Sequence, residues 1–388
     1  ATYDDVQGND ANIKIIRESL AKPEATRSRV FVLTGAPGSG KTTLARELGS
    51  KRAAHWFDLE SPSALSLMGD PYTALKDLRG LVVIDEAQRQ PPLFPVLRVL
   101  ADRPRTPARF LLLGSASPEL SRQASESLAG RVAFVEMAGF TVPEVGLAQA
   151  NRLWLRGGFP RSFLARNDAQ SMERRTDFIQ SFLERDLAQL GFPLSPRVMG
   201  RFWTMLAHYH GQIWNASEIA ASMGITYHTA NSYLDALEQT FMVRRVLPWY
   251  ENVGKRLVKS PKIYFRDPGL FHALQRIGTM HELMHHPKLG ASWEGFVMEQ
   301  VVSALKLHDF YFYNVHSGSE LDMFFLHKGK RIGIEIKRED APRMTKSMYV
   351  SMADLKLDLL RVIYPGEHRY TIGPNAECVP FAQLEKLM

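Results

Sequence analysis

The segment Val30-Phe-Val-Leu-Thr34 runs straight into Gly35-Ala36-Pro37-Gly38-Ser39-Gly40-Lys41-Thr42, and no other stretch of the 388 residues restricts the fold as tightly. A continuous apolar run that stops at a glycine reads as a strand buried on both faces. The glycines then let the backbone curl so that its N–H groups converge, and a helix starting behind them adds the positive end of its dipole. That combination cradles phosphate oxygens. In the pattern G-x-x-x-x-G-K-[ST], met here at every fixed position, Lys41 reaches the β- and γ-phosphates and the Thr42 hydroxyl holds Mg²⁺. Thr43, next in the chain, is counted with the nucleotide-contacting residues.

A second apolar run, Leu81-Val-Val-Ile84, ends in Asp85-Glu86, and a third spans Phe110 to Leu113. Such runs separated by helical segments predict a parallel sheet covered on both faces, so the chain begins as an α/β fold. Asp85 sits where a nucleotide enzyme holds magnesium, and Glu86 where one activates water.

Composition narrows the remaining classes. Hydrophobic residues make up 45% and charged residues 23%, which excludes a disordered or fibrous chain. The 48 Lys and Arg against 41 Asp and Glu leave a formal charge of +7, which permits an anionic partner without demanding one. The single cysteine, Cys378, excludes an internal disulfide and fits a reducing cytosol. The first residues lack the pattern of a secretory signal, and no apolar run approaches the roughly 20 residues of a membrane span. The expectation is a soluble cytoplasmic protein without a membrane partner.

The pattern divides the chain into four expected units: a nucleotide-binding unit over 1–140, a helical lid over 141–195, a helix-turn-helix unit over 196–267, and an α/β unit over 268–388. Helices are expected at 11–20 and over 293–305, and a loop rich in His, Pro and Gly over 279–292. In the third unit, Ser217 to Met223 and Tyr227 to Glu238 read as helices around Gly224, with Ser217 and Thr226 as N-caps. Tyr227, His228 and Thr229 face outward from the second helix, the one that enters the major groove in such motifs. Arg244, Arg245, Lys255, Arg256, Lys259 and Lys262 cluster around a hairpin turn at Asn252-Val-Gly254 and suit contacts to DNA phosphates.

In the last unit, Gly318 to Phe325 and Gly333 to Lys337 read as the two strands of a hairpin. A turn centred on Lys328-Gly329 places Asp322 opposite Glu335, with Lys337 on the same face. Glu294, on the preceding helix, supplies a third carboxylate, and the set is of a kind that binds Mg²⁺. His281-Glu-Leu-Met-His285 satisfies H-E-x-x-H, but Pro287 cuts short the helix that a zinc site needs, so no zinc is expected there.

Taken together, Asp4-Asp-Val-Gln-Gly8, the phosphate loop and Asp85-Glu86 resemble an AAA+ ATPase. The resemblance implies that Ser115, with Ser117 as a competitor, is sensor 1. It implies that Arg131 is an arginine finger acting on a neighbouring subunit, and that Arg161 in Gly157-Gly-Phe-Pro-Arg161 is sensor 2. A finger working in trans implies a homo-oligomer, most simply a ring of six. The third unit resembles a winged helix. Glu294, Asp322 and Glu335-x-Lys337 resemble the PD-(D/E)XK nuclease-like fold. The whole order is similar to a large group of bacterial and archaeal AAA-type ATPases, and its first three units to RuvB-type motors and origin-recognition ATPases. It implies an ATP- and Mg²⁺-dependent ring that remodels or moves along duplex or branched DNA. An ATP-gated nuclease and a nucleotide-controlled switch without DNA remain as alternatives.

Overall fold

The computed structural model describes residues 29–50, 54–103, 108–114, 118–192, 194–250, 258–315 and 318–387. The stretch 4–8, the helix expected at 11–20, Ser115, Ser117, the turn at 252–254, Lys255 and Arg256 lie outside the described residues.

Strands β1 (Val30–Thr34), β2 (Ala54–Asp58), β3 (Gly80–Asp85), β4 (Ala108–Leu113) and β5 (Val132–Glu136) form a five-stranded sheet in the order 2-3-4-1-5. Every pairing in it is parallel. The apolar runs are continuous because the sheet is covered twice. Phe31, Leu33, Val83 and Leu111 pack under Leu44, Ala45 and Leu48 of α1 (Lys41–Ser50). The alternate residues Val32, Val82, Ile84 and Phe110 pack under Leu93, Phe94 and Leu97 of α2 (Leu93–Ala101), beside Ala124 of α3 (Pro118–Ser127). Each large side chain so buried contributes about 1.5–3 kcal/mol, which fixes β1 and β3 and hence the loops at their C-terminal ends.

The stretch 141–195 is helical, as its pattern predicts. It contains α4 (Ala150–Arg156), a single turn at Pro160–Phe163 and α5 (Asp168–Ser181), which Asn167 caps by accepting from Gln170 N at 2.8 Å. α5 runs into a π-helical turn, Phe182–Asp186. Phe159, Phe178, Phe182 and Trp203 stack in sequence at 5.0, 6.0 and 5.2 Å between ring centres, and Ala36 of the phosphate loop joins their cluster.

Next come α6 (Pro196–His208), β6 (Gln212–Ile213), α7 (Ala216–Met223), α8 (Tyr227–Gln239), β7 (Val243–Pro248) and β8 (Lys262–Phe265). Gly224 takes the left-handed conformation (φ +67°) that the turn between α7 and α8 requires, and Thr226 caps α8 through Thr229 N. The cap of α7 is Asn215 rather than Ser217, which lies inside the helix, because Asn215 Oδ1 accepts from Glu218 N. α9 (Pro268–Leu274) and α10 (Leu289–Leu305) follow. The expected loop at 279–292 instead holds a helix, Met280–Met284, and the first turn of α10. Thr279 and Glu282 form a capping box that starts the short helix.

The remaining elements are β9 (Tyr311–Asn314), β10 (Glu320–His327), β11 (Lys330–Ile336), α11 (Lys346–Asp354), β12 (Leu359–Tyr364), β13 (Tyr370–Gly373) and β14 (Ala376–Pro380). They enter a nine-stranded sheet in the order 13-14-12-11-10-9-7-8-6. β7 and β9 pair in parallel through Leu247 with Tyr311 and Pro248 with Phe312. The sheet therefore continues across the expected division at 267/268. Pairing with β9 covers the polar edge that β7 would otherwise leave open. Among the described residues, no helix is long and apolar enough to cross a membrane.

Candidate functional site

The phosphate loop closes around α1 as its glycines demand. Gly38 and Gly40 have φ of +74° and +96°, and a Cβ on Gly35 would lie 2.2 Å from the Met137 carbonyl oxygen. Lys41 is buried, and its Nζ donates to the carbonyls of Gly35 (2.9 Å) and Ala36 (2.8 Å). Burial pulls its pKa down to about 8 against the opposing pull of Glu86, Asp85 and Asp186. The Ser39 hydroxyl is buried with no hydrogen-bond partner. A buried orphan hydroxyl in a glycine cradle fits a phosphate acceptor, because a bound oxygen would satisfy the donor that the protein leaves unmet.

Asp85 and Glu86 stand at the end of β3. Thr42 Oγ1 donates to Asp85 Oδ2 at 2.9 Å, so the two groups expected to hold Mg²⁺ already meet. Burial raises the Asp85 pKa, while the Thr42 bond lowers it. Glu86 adopts the left-handed conformation (φ +54°, ψ +43°), which costs a non-glycine residue about 1–2 kcal/mol. Burial raises its pKa as well, opposed by a hydrogen bond from Gln88. Burial thus shifts Glu86 in the direction that makes a carboxylate a better proton acceptor.

The remaining expected nucleotide contacts fall differently. Arg131 precedes β5, whose first residue Val132 pairs with Val30, the first residue of β1. It is thus about 13 Å, one strand length, from the loop that follows Thr34. There its Nε binds Asp102 Oδ1 at 2.6 Å. Arg161 is exposed and lines a surface hollow with Arg166, Gln170 and Arg174. Arg185, in the π-helical turn, lies 2.8 Å from Asp186 and within electrostatic reach of Glu60 and Glu86, while Asp186 interacts with Lys41. Sequence reasoning missed this pair. The π-helical turn that presents it has no sequence signature, although such turns concentrate at functional sites.

The second expected constellation also assembles. The pairing of Met323 with Ile334 sets Asp322 beside Glu335, and Asp322 Oδ2 accepts from Ile336 N at 2.8 Å. Lys337 Nζ lies 2.6 Å from Glu335 Oε1, and Glu294 joins from α10. Burial raises the carboxyl pKa of Glu294 to about 7 and that of Glu335 to about 8, with the Asp322 charge adding to both. Lys262, expected on DNA phosphates, is buried in this cluster instead. Its Nζ is hydrogen-bonded to Glu320, 3.6 Å from Glu294 and 4.0 Å from Asp322.

Two more expected phosphate contacts are likewise turned inward. Arg244 makes bonds of 2.5 and 2.9 Å to the two carboxylate oxygens of Glu299, and Arg245 is paired with Asp235 and Glu238. Each sits opposite an acid that a basic run in the sequence does not reveal. Tyr227, His228 and Lys259 are exposed, and Thr229 is hydrogen-bonded to Thr226. In the H-E-x-x-H stretch, Glu282 accepts from Gly278 N (2.7 Å) and Thr279 N (3.0 Å), and His285 Nδ1 is bonded to the His281 carbonyl.

The parallel sheet, the glycine cradle with Lys41, and Thr42 against Asp85 form a P-loop nucleotide-binding site. The AAA domain family matches residues 27–146, and two families described as domains of unknown function, DUF8612 and DUF4143, match 147–281 and 289–384. The chain belongs to one family with the uncharacterized proteins Rv2008c of Mycobacterium tuberculosis and Mb2031c of Mycobacterium bovis. It is 50% identical to each over 358 residues, 92% of this chain and 81% of the relative. Among solved structures, the Walker-type ATPase PABY2304 of Pyrococcus abyssi is similar at 17% identity and a TM-score of 0.49, over 70% of this chain and 97% of that one. A single-substitution variant of RuvB from Thermotoga maritima is similar at 20% identity and a TM-score of 0.34, over 62% and 90%.

Proposed function

We propose that this chain hydrolyses ATP with Mg²⁺ at a site completed between subunits of a ring, and that the energy is applied to DNA. The carrying observation is that one glycine loop holds the buried Lys41 on its own carbonyls, Thr42 bonded to Asp85, and an unsatisfied Ser39 hydroxyl. On ATP binding, Lys41 exchanges its two carbonyl partners for the β- and γ-phosphates. Thr42 and Asp85 hold Mg²⁺, which neutralises phosphate charge when bound. Glu86 orients the attacking water and takes its proton. Arg131, too far from its own loop, is assigned to a neighbour's γ-phosphate, which requires release from Asp102. Arg185 takes the lid position expected of Arg161, since it is the lid cation within electrostatic reach of Glu86.

The lid has a direct route to the C-terminal half. Buried Arg175 donates to the carbonyls of Leu155 and Gly269 at 3.1 Å, and Asp267 Oδ2 accepts from Gly158 N at 2.7 Å. Movement of α4 and α5 on hydrolysis therefore carries α9, and with it β8. For DNA, the supporting surface is the exposed start of α8 at Tyr227 and His228, together with Lys259.

A second reading is a nucleotide-controlled switch that uses no DNA. It is favoured by the internal pairing of Arg244, Arg245 and Lys262, which removes three cations from the expected DNA face. Steady-state ATP hydrolysis without DNA, with linear duplex and with a four-way junction separates the two. Stimulation by DNA that is lost in a Tyr227→Ala/His228→Ala variant supports the motor. A rate indifferent to every DNA rejects it and leaves the switch.

A further inference from the structure

The acidic cluster of the C-terminal sheet has the residue types of a magnesium site, but a buried lysine already stands among its carboxylates. Glu294 Oε1 accepts from the Tyr264 hydroxyl and faces Lys262. Asp322 Oδ2 is held by Ile336 N, and its Oδ1 faces Lys262 at 4.0 Å. Glu320 Oε1 is bound by Lys262 and its Oε2 by Asn314 Nδ2 at 3.3 Å. Glu335 Oε1 pairs with Lys337, and Glu335 Oε2 is buried and without a partner. Among the described residues, no group of three or more His, Cys, Asp or Glu has the arrangement that holds a metal ion. Mg²⁺ is held by one or two carboxylates together with several waters in near-octahedral order, and the Lys262 ammonium among Glu294, Glu320 and Asp322 stands where that ion and its waters would sit. The residues present do not fit the metal.

We infer that Lys262 is the resident cation of this cluster and keeps divalent metal out of it. Three features hold the ammonium there. β8 is paired on both sides, with β7 and β6, so the backbone of Lys262 cannot swing away without breaking two ladders. Its ammonium lies over the face of the Phe312 ring, 5.5 Å from the ring centre. Its side chain is 5% exposed, and with Glu294 and Asp322 also largely buried, water screens its attraction to those two acids little. A dication between Glu294 and Asp322 would stand against that ammonium in the same low-dielectric volume, and the like charges exclude each other. Removing the ammonium has the reverse effect. It opens one oxygen on each of Glu294, Glu320 and Asp322 beside Glu335 Oε2, four carboxylates of the hard-oxygen kind that Mg²⁺ and Mn²⁺ take. The pairing also ties the strand that leads into α9 to the C-terminal sheet, and it is independent of what the nucleotide site drives.

The test is Mn²⁺ binding by the full-length, nucleotide-free chain, read as loss of the free-ion electron paramagnetic resonance signal. Wild type and Asp322→Asn are expected to take up the same Mn²⁺, with none owed to the cluster. Lys262→Met is expected to gain one Mn²⁺ per chain, and Lys262→Met/Asp322→Asn to lose it. Asp322-dependent binding by wild type overturns the inference, as does a folded Lys262→Met that gains nothing. Should Lys262→Met not fold, acetylation of wild type with a lysine-selective reagent and mass spectrometry decides. Lys262 is expected to stay protected, with and without 10 mM MnCl₂ (a concentration on the order of those that saturate such sites), while exposed Lys259 labels. Labelling of Lys262 that appears with Mn²⁺ overturns the inference.

Discussion

The phosphate loop and the C-terminal cluster use the same vocabulary, a buried lysine among carboxylates, yet the two differ in what remains unsatisfied. At the loop, Lys41 is tied to two backbone carbonyls and Ser39 has no partner, so an incoming phosphate improves both. In the cluster, Lys262 and Lys337 lie directly against the acids, and the cation a ligand would bring is already built in. Residue types alone do not distinguish a working site from a structural one. The distinction lies in whether the cation is held by neutral groups, which give it up, or by opposite charges, which do not.

The largest effect that sharpens this contrast is at Lys41. Lys41→Ala is expected to abolish measurable ATP turnover, since it removes the contact to both the β- and γ-phosphates, checked by phosphate release. If the cluster carried the chemistry instead, Lys337→Ala would give that loss and Lys41→Ala would not. Arg131→Ala comes next, with an expected fall on the order of 10³ if it acts as a finger in trans. Mixing Arg131→Ala with Lys41→Ala subunits should restore part of the rate, since some interfaces then combine an intact loop with an intact arginine. No recovery on mixing contradicts the shared site. Arg185→Ala, which removes an exposed cation within electrostatic reach of Glu86, is expected to cost about tenfold, roughly 1.4 kcal/mol, while Arg161→Ala leaves the rate unchanged.

The smallest effect is on pH dependence. Glu335 and Glu294, facing Asp322, Glu320, Tyr264, Lys262 and Lys337, keep their protons in the fold to about pH 8 and 7. In the unfolded chain they lose them near pH 4.3. A raised carboxyl pKa gives stability that is full below the unfolded value and lost as pH rises through the folded one. Thermal midpoints should therefore fall by a few degrees between pH 5 and 8, and Glu335→Gln should flatten that slope. A wild-type slope of opposite sign breaks the description of the cluster as burial-dominated.

What was legible in the sequence was local. The strand Val30–Thr34, its loop, and Asp85-Glu86 are contiguous, so their chemistry can be read without knowing the fold. The same holds for Asp322 opposite Glu335, because a hairpin turn at Lys328-Gly329 fixes the register by symmetry. What escaped lies between distant elements. The basic run at 244–262 reads as a free DNA face only while Glu299, 55 positions from Arg244, and Glu320, 58 from Lys262, are out of view. The same distance hid the joining of β7 to β9 and the approach of Arg185 to Glu86.

In the proposed reaction at the phosphate loop, Glu86 is the water-activating carboxylate of a site that Lys41 and Thr42–Asp85 complete. The direct measurement is ATP turnover and nucleotide affinity in Glu86→Gln, which keeps the shape of the side chain and the Gln88 contact while removing the base. The expected outcome is a turnover reduced by about 10²–10⁴-fold with ATP affinity retained. A Glu86→Gln protein that hydrolyses ATP at the wild-type rate would contradict that role.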